Sequence, residues 1–84
     1  MRAKAVRAEI ERLLRQVSFR PFLLTLEDGT RVPIEHPENI AFEPGAEDPD
    51  NGSADFYVIA RRLRLFSTFE AVSSVALLDR VEGE

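Results

Sequence analysis

Eighty-four residues, 44% apolar and 31% charged, with no cysteine and a net charge of −4, describe one small globular domain of modest core. That composition excludes disulfides and thiolate metal sites. No apolar run approaches the roughly 20 residues of a membrane span, and the acidic total argues against a general nucleic-acid binder, whose domain is usually strongly basic.

The charge is unevenly placed. Residues 1–20 carry six basic side chains against two acidic ones, residues 27–55 set Arg31 against nine carboxylates, and residues 61–64 contribute three arginines. Ten of the eleven basic residues are arginine. The planar guanidinium favours bidentate pairing, although a high genomic GC content produces the same bias. Residues 1–20 lack a continuous apolar stretch, so no signal peptide is expected and the expected location is the cytoplasm.

The chain opens with an amphipathic helix expected over about residues 3–16. Ala3, Val6, Ile10, Leu13, Leu14 and Val17 recur at spacings of three and four and share a face. Arg2, Lys4, Arg7, Glu9, Glu11, Arg12 and Arg15 fill the remainder. Pro21 requires the helix to end by Arg20.

From Phe22 the period becomes two. Phe22, Leu24 and Leu26 share one face of a first strand. Asp28-Gly29 predicts a hairpin through positive φ angles that match strand twist, and the return strand runs from Arg31 to Glu35. Pro33 lacks an N–H, so that strand belongs at an edge or a bulge. His36-Pro37-Glu38-Asn39 turns the chain, and Ile40–Phe42 form a short third strand. Residues 44–54 collect breakers and carboxylates and read as an exposed, mobile acidic loop. Phe56–Ala60 and Leu63–Ser67 form a second hairpin turning near Arg61-Arg62. A continuous helix over 56–66 is the competing reading, and it is rejected because Phe, Tyr, Val and Ile in succession favour a strand. Residues 69–74 read as a short turn or single helical turn, and Val75–Leu78 as a final buried strand. The predicted class is therefore α+β, one domain over 1–84, with the antiparallel sheet over about 21–80.

Phe19-Arg20-Pro21-Phe22, Asp28-Gly29 and His36-Pro37-Glu38 together resemble the motifs of a family of small uncharacterised bacterial proteins abundant in planctomycetes. The resemblance spans about residues 5–80 and implies a helix, an "RPF" lead-in to the first strand, a "DG" hairpin and an "HPE" turn; it implies no activity. The order of a helix, about five short strands and a one-turn connection before the last strand is also similar to that of Sm-like and SH3-like small barrels. A small barrel or curled sheet is accordingly expected.

The sequence nominates no catalytic, metal or cofactor site. His36 is the single histidine, and a closed zinc site needs about four ligands, so a structural role in the turn is the stronger reading. No serine sits in a Gly-x-Ser-x-Gly elbow, and Ser73-Ser74 are expected to serve local turn hydrogen bonds. Glu35 with Glu38, or Asp48 with Asp50, are pairings that fifteen acidic residues produce by chance. Asp48-Pro49-Asp50-Asn51-Gly52 lacks the calcium-loop pattern at the fifth, sixth and twelfth positions. Arg61, Arg62 and Arg64, with Tyr57 nearby, are the best candidates for a nucleic-acid or partner contact, since arginines interleaved with aromatics hold single strands. The bland reading is a hairpin tip of solvated arginines. Seven aromatics are many for one small core, and some are expected on an outer sheet face. The leading expectation is a non-enzymatic protein-interaction or self-assembly module without cofactor, acting as a homo-oligomer or with a protein partner and apart from membranes. The alternative is Sm-like binding of RNA or single-stranded nucleic acid, and an enzyme built on His36 ranks last.

Overall fold

The computed structural model describes residues 2–43 and 52–78. One helix, α1 (Arg2–Leu14), precedes six strands: β1 (Phe22–Leu26), β2 (Arg31–Ile34), β3 (Ile40–Ala41), β4 (Asp55–Ile59), β5 (Arg64–Thr68) and β6 (Val72–Leu77). The strands form two antiparallel three-stranded sheets, sheet A in the order β2-β1-β6 and sheet B in the order β3-β4-β5. The chain passes from A to B through a 3₁₀ turn at Pro37–Asn39 and returns through a second at Phe69–Ala71. The fold is thus α+β as expected, with six strands rather than about five. No strand pairing joins the two sheets among the described residues, so they do not close into a barrel.

Alternation builds the core. Phe22, Leu24 and Leu26 of β1, Val32 and Ile34 of β2 and Val72 of β6 point inward from sheet A; Ile40, Phe56 and Val58 do so from sheet B. Ile10 and Leu13 of α1 complete the cluster with Phe69, which sits on the second corner. The Phe69 ring meets Phe42 and Phe56, each at 5.0 Å between centroids, an edge-and-tilt geometry that suits aromatic quadrupoles.

Several local expectations change. The helix stops at Leu14, with the Arg15 N–H shared between the carbonyls of Glu11 and Arg12. Val17 therefore falls outside it and is fully exposed rather than on its apolar face, because the chain must turn there for Phe19 to pack edge-on against Phe22. Arg7, assigned by type to the solvent side, is only 5% exposed. It lies three residues before Ile10, on the core-facing stripe. Its charge is met by Glu11 at 3.6 Å, and its Nη1 donates to the Ser53 carbonyl at 3.0 Å, the condition under which a buried cation is tolerated.

The DG hairpin uses only one positive φ, 92° at Gly29. The Leu26 N–H donates to Thr30 O and the Gly29 N–H to Leu26 O, a three-residue loop in which Gly29 alone takes the left-handed position. Pro33 falls on β2, an edge of sheet A, where its missing N–H is tolerated. The last strand starts earlier than expected and is largely exposed, because it is the other edge of sheet A. A bulge explains its register. Thr25 faces Ser74 and Leu26 faces Val72, leaving Ser73 as the extra residue. That shift turns Val72 into the core. The Ser73 hydroxyl donates across the sheet to Thr25 O at 2.9 Å, and its carbonyl accepts from Arg2 at 2.7 Å, so Ser73 serves the bulge and not a local turn. Of the acidic loop predicted at 44–54, only 52–54 lie within the described residues.

Candidate functional site

The outer face of sheet B follows from the same alternation that fills the core. With Phe56 and Val58 inward, Tyr57 and Ile59 must point out. Register then sets Tyr57 opposite Phe66 and Ile59 opposite Arg64, with Ala41 on the other side of Tyr57. Phe66 is 67% exposed, Ile59 49% and Tyr57 40%. The Tyr57 and Phe66 rings lie 6.4 Å apart, tilted by 51°. Tyr57 lies on the central strand β4, and Phe66 lies on β5, an edge of sheet B. Three of the five exposed large apolar residues among the described residues thus share one face, the others being Val17 and Leu77. Scattered apolar residues are normal on a surface, whereas a contiguous group is informative.

The four nominated residues divide between two places. Tyr57 and Arg64 belong to this outer face. Arg61 and Arg62 form the tip of the β4–β5 hairpin, closed by Ala60 N–H to Leu63 O at 2.8 Å. They line a half-open groove of about 570 Å³ together with Arg31 and Pro33 of β2 and Glu35 and His36 of the first corner. Asn39 rivets the groove. Its Oδ1 accepts from the backbone N–H groups of His36 (2.9 Å) and Glu35 (3.2 Å), and its Nδ2 donates to Ile59 O at 2.9 Å. His36 is exposed at the N-terminal end of the 3₁₀ turn. Among the described residues no three His, Asp or Glu side chains gather in a way that would hold a metal ion.

Charge pairing separates the arginines of the helix from those of the sheets. Arg12 reaches Glu9 at 2.6 Å and Arg15 reaches Glu11 at 3.1 Å. The bond from Arg12 holds the Glu9 carboxyl below its ordinary value. Arg31, Arg61, Arg62 and Arg64 are exposed and make no side-chain hydrogen bond or ion pair among the described residues. Sequence reasoning grouped the last three by proximity. It did not reach Arg31, which lies about thirty positions away and joins the groove only because the first corner folds β2 toward the β4–β5 turn.

No protein-family model matches this chain, and neither a curated protein nor a solved structure matches it. No helix among the described residues is long and apolar enough to cross a membrane.

Proposed function

We propose that this chain is a non-enzymatic, cytoplasmic self-assembly module, and that the outer face and free edge of sheet B dock a second copy. The carrying observation is Phe66, two-thirds exposed beside Tyr57 and Ile59 on an edge hairpin. An apolar face on a strand with unused N–H and C=O groups suits pairing with another strand. Two short sheets hinged at 3₁₀ corners are also in keeping with an open version of the Sm-like and SH3-like small-barrel plan, and with the bacterial family that the "RPF", "DG" and "HPE" motifs resemble. Size-exclusion chromatography with light scattering, from micromolar to millimolar concentration, tests the reading. The expected result is a concentration-dependent dimer or ring that Phe66→Glu returns to a monomer still folded by circular dichroism. A wild-type chain that stays monomeric throughout rejects it.

A second reading has its own support. Arg64 shares the face of Tyr57 and Phe66, and Arg61 and Arg62 stand at its tip, so stacking surfaces and cations adjoin as in single-strand binders. It predicts binding of a short mixed-sequence RNA at low salt that weakens steeply as salt rises. Absence of binding at low salt, or salt-independent binding, rejects it.

A further inference from the structure

The groove between the sheets is a second surface, which meets the aromatic face at the Arg61-Arg62 tip, and the geometry points to it as a binding site for a small organic phosphate. Three arginines are among its lining residues, Arg31 from sheet A and Arg61 and Arg62 from the tip of sheet B. None is neutralised by a carboxylate or used in a hydrogen bond among the described residues. The one acid on the lining is Glu35, so the groove carries an excess of positive charge in a chain whose total is −4.

The chemistry of the cations selects the ligand. Guanidinium is a planar fork that matches phosphate and carboxylate oxygens in pairs, and it is less strongly hydrated than ammonium. A carboxylate offers two oxygens in one plane and is satisfied by one fork or two. A phosphate monoester presents three terminal oxygens that share up to two negative charges around a tetrahedron, which suits forks supplied by more than one strand. The groove exceeds what phosphate alone would occupy, and its size is that of a small-molecule site. Pro33 and Leu63 give the lining its apolar part, on which the organic body of the ligand rests while the phosphate takes the arginines.

The first corner and the end of β4 are fastened to each other before any ligand arrives. Asn39 ties the first corner of the chain to the end of β4 through three hydrogen bonds of 2.9–3.2 Å. The backbone of the corner is therefore already tied to the end of β4, and less backbone ordering is needed on binding. Asn39, itself on the lining, acts here as a positioning residue.

The test is an amide-resolved NMR titration of the full chain with inorganic pyrophosphate at matched ionic strength, with acetate as the carboxylate control. Saturable shifts confined to residues 31–39 and 60–63 are expected. Arg31→Gln and Arg62→Gln should each weaken binding by at least about tenfold, the worth of one charge-assisted contact, with melting temperature unchanged. Shifts that stay linear, shifts spread over the helix arginines, or an Arg31→Gln chain that binds like wild type would each overturn the site. Acetate binding as tightly as pyrophosphate would overturn the phosphate assignment. Phe66→Glu should leave pyrophosphate binding intact, so failure of self-assembly and failure of this site are read separately.

Discussion

Sheet A and sheet B each turn the apolar side of three antiparallel strands inward, yet their outer faces have little in common. Sheet A presents Leu23, Thr25, Arg31, Pro33, Ser74 and Ala76, of which the one large apolar side chain, Leu23, is half-buried. Sheet B presents Tyr57, Ile59, Arg64 and Phe66 with little cover. Burial accounts for the inner faces of both. It does not account for the outer face of B, because the isolated chain leaves those rings in water. A cross-strand aromatic pair contributes at most about 1 kcal/mol to its hairpin. The contrast therefore separates residues kept for folding from residues available for contact.

The sharpest way to break that contrast is to make one substitution on the two faces of the same sheet. Phe56 is buried against Phe69, and Phe66 stands outside. Phe56→Ala should cost about 3–5 kcal/mol, as deletion of a buried ring does. Phe66→Ala should cost less than about 1 kcal/mol, the loss of the pair with Tyr57. Urea denaturation measures both. Equal losses would mean that the outer face of sheet B is structural after all.

A middle-sized effect is expected where the helix is fastened to the two sheets. Arg2 reaches sheet A through one exposed hydrogen bond to Ser73 O. Arg7 reaches the segment leading into sheet B with its guanidinium pressed on Gly52, where an added Cβ would lie 2.5 Å from Cζ. Ser53 in turn donates its N–H to Glu43 O at 2.9 Å and accepts the Glu43 N–H on Oγ at 3.0 Å. Gly52→Ala should push the Arg7 guanidinium aside and cost about 1–3 kcal/mol, the worth of its charge-assisted bond to Ser53 O, while Arg2→Ala should stay within about 1 kcal/mol. Adding Arg7→Met to Gly52→Ala should recover part of the loss, since neighbours in contact are not additive. Strict additivity would show that the close approach is not what matters.

Much of this was legible in the sequence because it is local. The period-two run at Phe22–Leu26, the Asp28-Gly29 turn, the edge position of Pro33 and the hairpin tip at Arg61-Arg62 each depend on neighbours a few residues apart. What escaped depends on tertiary register. Val72 turns inward only because Ser73 is bulged against Thr25 and Leu26. Arg7 is buried only because Gly52 and Ser53 come to rest on it. The groove exists only because the first corner folds β2 toward the far hairpin, and no spacing in the chain encodes that Arg31 shares a groove with Arg61 and Arg62. The outer aromatic face lies between these cases. Its composition was visible, but which rings were outside required the pairing of β4 with β5.

The smallest expected effect compares the hairpins of the two sheets. The β4–β5 tip, Arg61-Arg62, has no positive φ and no side-chain bond to hold it. The β1–β2 loop has both Gly29 and a carboxylate clasp, with Asp28 Oδ1 accepting from the Thr30 N–H at 2.9 Å. That bond holds the Asp28 carboxyl below its ordinary value. The sign follows from linkage: a carboxyl depressed in the native state binds protons more weakly there than in the unfolded chain, so its contribution is complete above the ordinary aspartate value and disappears as pH falls through the lower native one. Asp28→Asn keeps an acceptor oxygen but cannot titrate. Wild type should therefore lose stability relative to Asp28→Asn only below about pH 4, with the two curves parallel at higher pH. Glu9 is depressed in the same direction by Arg12 and is common to both chains, so their difference reports Asp28 alone. Curves that stay parallel down to the acid limit would show that the clasp on sheet A's hairpin contributes no more than the bare turn on sheet B's.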